Sequence, residues 1–144
     1  MNAAEKREQT DLQWLTGAIE AAAQTGLRPD GEYWRATYTK EDNKVVDLLR
    51  QYMTEAGMEV YSDAVGNLFG RFPGESEEVI LVGSHRDTVR QGGRYDGILG
   101  VLTAIRAAAS LHAELGRPQK TLEVVATCEE ESSRFLTSYL GSHH

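Results

Sequence analysis

Apolar residues in the first part of the chain recur at helical steps. Leu12, Leu15, Ile19 and Ala22 fall three and four apart, which predicts an amphipathic helix. Gly26 marks its end and Pro29 bars its continuation. A second helix is predicted from Thr39, whose hydroxyl can cap it, with Asp42 as an early acid against the helix dipole. Its inward stripe is Val45, Leu48, Leu49, Tyr52 and Met53, and Gly57 suits the position just past its end. The period then shortens. "MEVYSD" and "NLFGRF" alternate around a turn-like Val65-Gly66-Asn67, the pattern of an antiparallel hairpin. After the Pro73-Gly74 turn, "EVILVGS" is a continuous apolar run of the kind found in fully buried strands. "GILGVLTAIRAAASLHAEL" predicts a long helix with Leu99, Leu102, Ile105 and Leu111 inward, and "TLEVVAT" a second buried strand.

The predicted order α, α, β, β, β, α, β argues an α/β layered domain. Strand 79–84, helix 98–115 and strand 121–127 form a parallel crossover unit, expected to be right-handed. Both of its strands then end at one edge of the sheet, where open α/β sheets bind ligands. The first runs into "SHRDT" and the second into "CEEES". His85, Asp87 and Asp96 are therefore expected to share a crevice with Glu129, Glu130 and Glu131, with Gly92, Gly93 and Gly97 letting the loop return Asp96 to His85.

Several carboxylates converging on one imidazole repel unless a cation sits among them. Imidazole and carboxylate together suit Zn²⁺ or Mn²⁺, and one acid can serve two metals about 3.5–4 Å apart. A neighbouring glutamate not spent on metal could take a proton from water. Each residue also has a plainer reading. His85 and Asp87 could cap turns, Asp96-Gly97 is an ordinary turn dipeptide, and a glutamate run often opens a solvated helix. His112 reads as an exposed-face residue, Cys128 as a small buried one, and His143 and His144 as terminal residues without assigned function.

Composition narrows the partners. The 144 residues carry a net charge of −7 and no run of Lys or Arg, so neither a nucleic acid nor an anionic membrane is expected as partner. No apolar run is expected to be long enough to cross a bilayer. The polar amino terminus is unlike a secretory signal, and a single cysteine fits a reducing compartment, so a cytoplasmic location is expected.

"GSHRDTVRQGGRYDGILGVLTAI" together with "LEVVATCEEESSRF" and "YLGS" resembles the two-metal amidohydrolases of the metallopeptidase superfamily. These include allantoate amidohydrolases (allantoate deiminases), N-carbamoyl-L-amino-acid hydrolases and β-ureidopropionases. The resemblance starts near "YTKEDNKVVDLLRQYM" and runs to the last residue. It implies a partial three-layer zinc-peptidase-like domain with a mixed, largely parallel sheet flanked by helices. It implies two divalent ions, Zn²⁺ or Mn²⁺, with His85 on one, Asp96 bridging and Glu131 on the other. It makes Glu130 the general base and Asp87 the residue that orients His85 through its far ring nitrogen.

The implied reaction is hydrolysis of a ureido or amidine-like C–N bond in a small molecule. The triple glutamate favours the allantoate-cleaving branch over the carbamoyl branch. Ser132 departs from the family's usual glycine. The resemblance further implies that residues 1–144 are the N-terminal part of the catalytic domain. The family's two further histidine ligands and its lid and dimerisation domain would lie beyond them, so this chain alone is expected to be inactive, although the family is typically homodimeric. A non-catalytic remnant and a related metallo-aminopeptidase are the alternative readings.

Overall fold

The structure, a computed structural model, describes residues 2–135 and 139–143. Helix α1 (Ala3–Gly26) opens on a reciprocal cap, in which the Asn2 side chain accepts from the Glu5 amide and the Glu5 carboxylate accepts from the Asn2 amide. Helix α2 (Lys40–Glu55) starts where the sequence predicts, with the Thr39 hydroxyl accepting the Asp42 amide. It ends on Gly57, at φ 84°, with the Gly57 amide bonded to the Thr54 carbonyl and the Met58 amide to Met53. That pair closes the last turn and needs a left-handed residue at position 57.

Strands β1 (Glu59–Ser62) and β2 (Leu68–Phe72) form the expected antiparallel hairpin, and β3 (Ser76–His85), α3 (Ile98–Leu115) and β4 (Lys120–Thr127) the expected crossover. The sheet order is β1-β2-β4-β3. The α/β class with a mixed sheet holds. Its parallel component is the β3–β4 pair, while β1–β2 and β2–β4 are antiparallel, a smaller parallel share than expected. A short 3₁₀ turn covers Leu140–His143, and His144 lies outside the described residues.

Leu68, Phe72, Val124 and Ala126 share one sheet face by register, and they pack in a single core with Val45, Leu49 and Met53 of α2 and Val101, Leu102 and Ile105 of α3. Among the described residues the helices cover that one face. Gly70 is a point of close approach, since a Cβ there would strike the sulfur atoms of Met53 and Met58. The α3 stripe is rotated from expectation. Ile98, Val101, Leu102, Ala104, Ile105 and Ala108 are buried, whereas Leu99 and Leu111 are exposed. Leu12 of α1 is likewise exposed, because Ala18, Ala22 and Ala23 make the close contact instead. His112 is not on an open face: its ring stacks on Phe72 at 4.0 Å. Cys128 is buried and free, as expected.

Two further expectations change. The apolar run of β3 is not buried, because among the described residues β3 is an edge strand with β4 as its sole neighbour in the sheet; Val79, Ile80, Leu81 and Val82 are 44–56% exposed. Alternation distinguishes faces, but a continuous apolar run does not say how many neighbours a strand has. And α3, with 18 residues and a mean hydropathy of 1.4, is long and apolar enough to cross a bilayer by length and composition.

Candidate metal centre

Residues His85 and Thr127 are paired at the ends of the parallel strands, so the chain leaves β3 and β4 at a common edge. His85 stands there with its Nδ1 3.1 Å from the Asp87 carbonyl oxygen. A carbonyl can only accept, so Nδ1 is the donor of this contact, and in the neutral ring the lone pair is on Nε2. Around Nε2 lie Asp96 Oδ1 at 3.5 Å and Glu130 Oε2 at 3.9 Å. His85, Glu130 and Glu131 can place one donor atom each within 4.8 Å of one another. The glycine loop does return Asp96 to His85. Gly97 is at φ 69°, and a Cβ on it would collide with the His85 carbonyl and ring.

Asp87 is fully buried, and its carboxylate spans the gap between the two strand ends. Oδ1 accepts the Glu130 amide and Oδ2 the Glu131 amide, each at 3.1 Å. The near contact with the imidazole comes from the Asp87 backbone; the carboxylate oxygen is 3.7 Å from Nδ1. One residue therefore sets both the tautomer of His85 and the position of the acid pair.

The three glutamates divide. Glu129, at φ 54°, turns inward, is fully buried, and accepts the Arg134 and Phe135 amides on Oε1 at 3.0 and 2.7 Å. It shapes the loop. Glu130 and Glu131 face His85. Burial raises the Glu131 carboxyl above its ordinary range; a charge on the His85 ring would oppose the rise, while Asp96, Glu130 and Asp87 add to it. Ser132 stands at φ 50°, the left-handed region where the resemblance leads one to expect glycine.

Behind the site is a scaffold that sequence reasoning did not find. Arg86 makes a two-pronged pair with Asp42, Nε to Oδ1 at 2.8 Å and NH2 to Oδ2 at 3.2 Å, with both side chains buried. Arg35 is also buried, its guanidinium pKa lowered by that burial, and its Nε donates to the Arg86 carbonyl at 3.0 Å. Asn67 joins Asp63, the Cys128 amide and the Gly141 carbonyl. One signal was available for Arg86: in an extended His-Arg-Asp run, the middle side chain must point away from its neighbours.

The sequence profile of peptidase family M28 matches residues 67–144, more than half of the chain. The chain belongs to peptidase family M28. Among curated relatives, allantoate amidohydrolase of Bacillus subtilis (strain 168) is 45% identical over 140 residues, covering 96% of this chain and 34% of that protein. N-carbamoyl-L-amino acid amidohydrolase of Geobacillus stearothermophilus is 40% identical over 121 residues, covering 83% of this chain and 30% of its own length. A solved hydantoinase/carbamoylase family amidase from Burkholderia ambifaria superposes with a TM-score of 0.82 at 38% identity, over 89% of this chain and 32% of that one. This M28 chain thus spans about a third of the length of the relatives it matches, and its resemblance to the allantoate and N-carbamoyl amino acid amidohydrolases holds.

Proposed function

We propose that this chain is the first part of the catalytic domain of a metal-dependent amidohydrolase that cleaves ureido or amidine-like C–N bonds, of the allantoate amidohydrolase type. The observation that carries the reading is the convergence of Asp96 and Glu130 on Nε2 of His85, with Glu131 held beside them by Asp87. The donor set fits a divalent cation: one neutral imidazole nitrogen and several carboxylate oxygens, of the hardness that Zn²⁺ and Mn²⁺ accept. His85, Asp96 and Glu131 would hold the ions, with Asp96 shared between two. When bound, such ions supply Lewis acidity that polarises the scissile carbon and favours a water nucleophile.

The chain's own residues do the rest. Glu130 Oε2, 3.9 Å from His85 Nε2, takes and returns the proton. Asp87 holds the Glu130 and Glu131 backbone so that base and ligand keep their spacing. Asp96, with 70% of its side chain exposed, forms the open wall toward a small substrate. The allantoate branch is favoured over N-carbamoyl amino acids by 45% against 40% identity and by the triple glutamate. The free, buried Cys128 accords with a reducing cytoplasm.

The test has two arms. The Bacillus allantoate amidohydrolase carrying these residues in its aligned segment restores the donors expected beyond them. Calorimetric titration of that chimera with Zn²⁺ or Mn²⁺ is expected to show binding that His85→Ala abolishes and Asp96→Asn weakens; no binding by the folded chimera sinks the metal reading. Replacing the aligned segment of the Bacillus allantoate amidohydrolase with these residues is expected to preserve ammonia release from allantoate. Glu130→Gln should remove it. A folded, metal-loaded chimera without turnover sinks the catalytic assignment.

A further inference from the structure

We propose that Asp42 is a positioning residue for the metal centre, acting through Arg86 on the spacing and tautomer of His85; the proposal rests on the metal reading above. Arg86 is the residue between His85 and Asp87, and every polar group it owns is committed. Its amide donates to the Thr127 carbonyl at 3.0 Å, and its carbonyl accepts Arg35 Nε at 3.0 Å. NH1 donates to the Ala126 carbonyl at 3.1 Å, while Nε and NH2 grip Asp42. Asp42 in turn accepts the Tyr38 amide at 2.9 Å, and its own amide is bound by the α2 cap at Thr39. One carboxylate thus ties the start of α2 and the 35–38 segment to residue 86, and residue 86 to the end of β4.

The consequence falls on the two side chains that flank Arg86. The His85 Nδ1 contact to the Asp87 carbonyl closes over residue 86, so it depends on the backbone path there. The Asp87 carboxylate must also reach two amides on the other strand's exit. A shift of residue 86 would lengthen both at once. A buried ion pair is a costly way to fill space, since an apolar pair of similar volume is often as stable. What the bidentate pair adds is fixed direction. Removing one partner alone would strand the other's charge, so the discriminating variant removes both charges.

The test carries the unaltered residues, Asp42→Asn, and the neutral pair Asp42→Asn/Arg86→Gln in the same chimera and compares them by three readouts. Long-range ¹H–¹⁵N spectra report the His85 tautomer without metal, calorimetry reports Zn²⁺ affinity, and thermal melting reports the fold. The unaltered chimera is expected to hold a single Nδ1–H tautomer. Asp42→Asn is expected to mix tautomers and to lose about tenfold in Zn²⁺ affinity, the low end for partners that orient a ligand. The neutral pair is expected to melt higher than the single variant yet keep the mixed tautomers and the affinity loss. A folded variant with a single tautomer and unaltered affinity overturns the positioning role alone. An unaltered chimera with the single tautomer but no Zn²⁺ uptake overturns the metal reading, and the proposal with it.

Discussion

Gly97 and His85 touch without room for a carbon atom between them: a Cβ at position 97 would overlap the His85 ring and carbonyl, and the backbone there is left-handed at φ 69°. Gly97→Ala therefore incurs strain and a clash at the same place. It is expected to destabilise the fold by about 1–3 kcal/mol and to push the His85 ring off its Asp87 contact. Thermal melting reads the first effect, and Zn²⁺ titration reads the second as weakened binding. Native stability with unchanged binding would show that the loop relaxes freely.

Asp87→Asn keeps the shape of the clamp but swaps one acceptor for a donor. One of the Glu130 and Glu131 amides then faces an NH₂ group in a fully buried position. The expected cost is about 1–3 kcal/mol, the range for a buried donor left without its partner, measured by urea unfolding. Amide exchange at Glu130 and Glu131 should accelerate beyond that at the core of β4.

Asn67→Ala removes the side chain that joins Asp63, the Cys128 amide and the Gly141 carbonyl. A loss of about 2–4 kcal/mol is expected. A second readout is chemical. Burial pushes the Cys128 thiol pKa up and keeps it from reagents. With the 139–143 segment untied, alkylation of Cys128 should become several-fold faster under native conditions, and an unchanged rate would count against the anchoring role.

Tyr61 lies on the sheet face opposite the helices, stacked on Phe69 with its hydroxyl donating to Glu123 at 2.9 Å. Burial, that hydrogen bond and the Glu123 charge push its pKa up to about 12. The unfolded value is about 10, so the folded state holds the proton more tightly. Its contribution to stability is complete below the unfolded value and is lost as pH rises through the folded one. Denaturation midpoints followed across that alkaline range should fall for the unaltered chain. Tyr61→Phe should lower stability near neutrality and flatten the alkaline decline.

Much of this molecule was legible from periodicity and spacing. Thr39 and Gly57 bound α2 because caps are local chemistry, read from a few adjacent residues. The meeting of His85, Asp96 and Glu130 followed from one topological rule, that a parallel crossover brings both strand exits to one edge. What stayed hidden depends on partners distant in sequence. Asp42 reads as a helix-start acid, and its partner Arg86 is not apparent until the fold buries them against each other. Glu129 looks identical to Glu130 and Glu131 in sequence, and only its left-handed backbone turns it inward. Asp87 meets the far ring nitrogen of His85 through its backbone carbonyl, because the amides of the facing loop claim both carboxylate oxygens.

The free flank of β3 in this 144-residue chain also governs how the chain by itself behaves as a colloid. An apolar strand with one side unpaired is a template on which another chain can add. The net charge of −7 opposes such contact, but only over a Debye length, about 8 Å at physiological salt and far longer in dilute buffer. Salt therefore acts here as a glue. The chain should stay dispersed longest at low ionic strength, with the onset of light scattering moving to lower protein concentration as salt is raised.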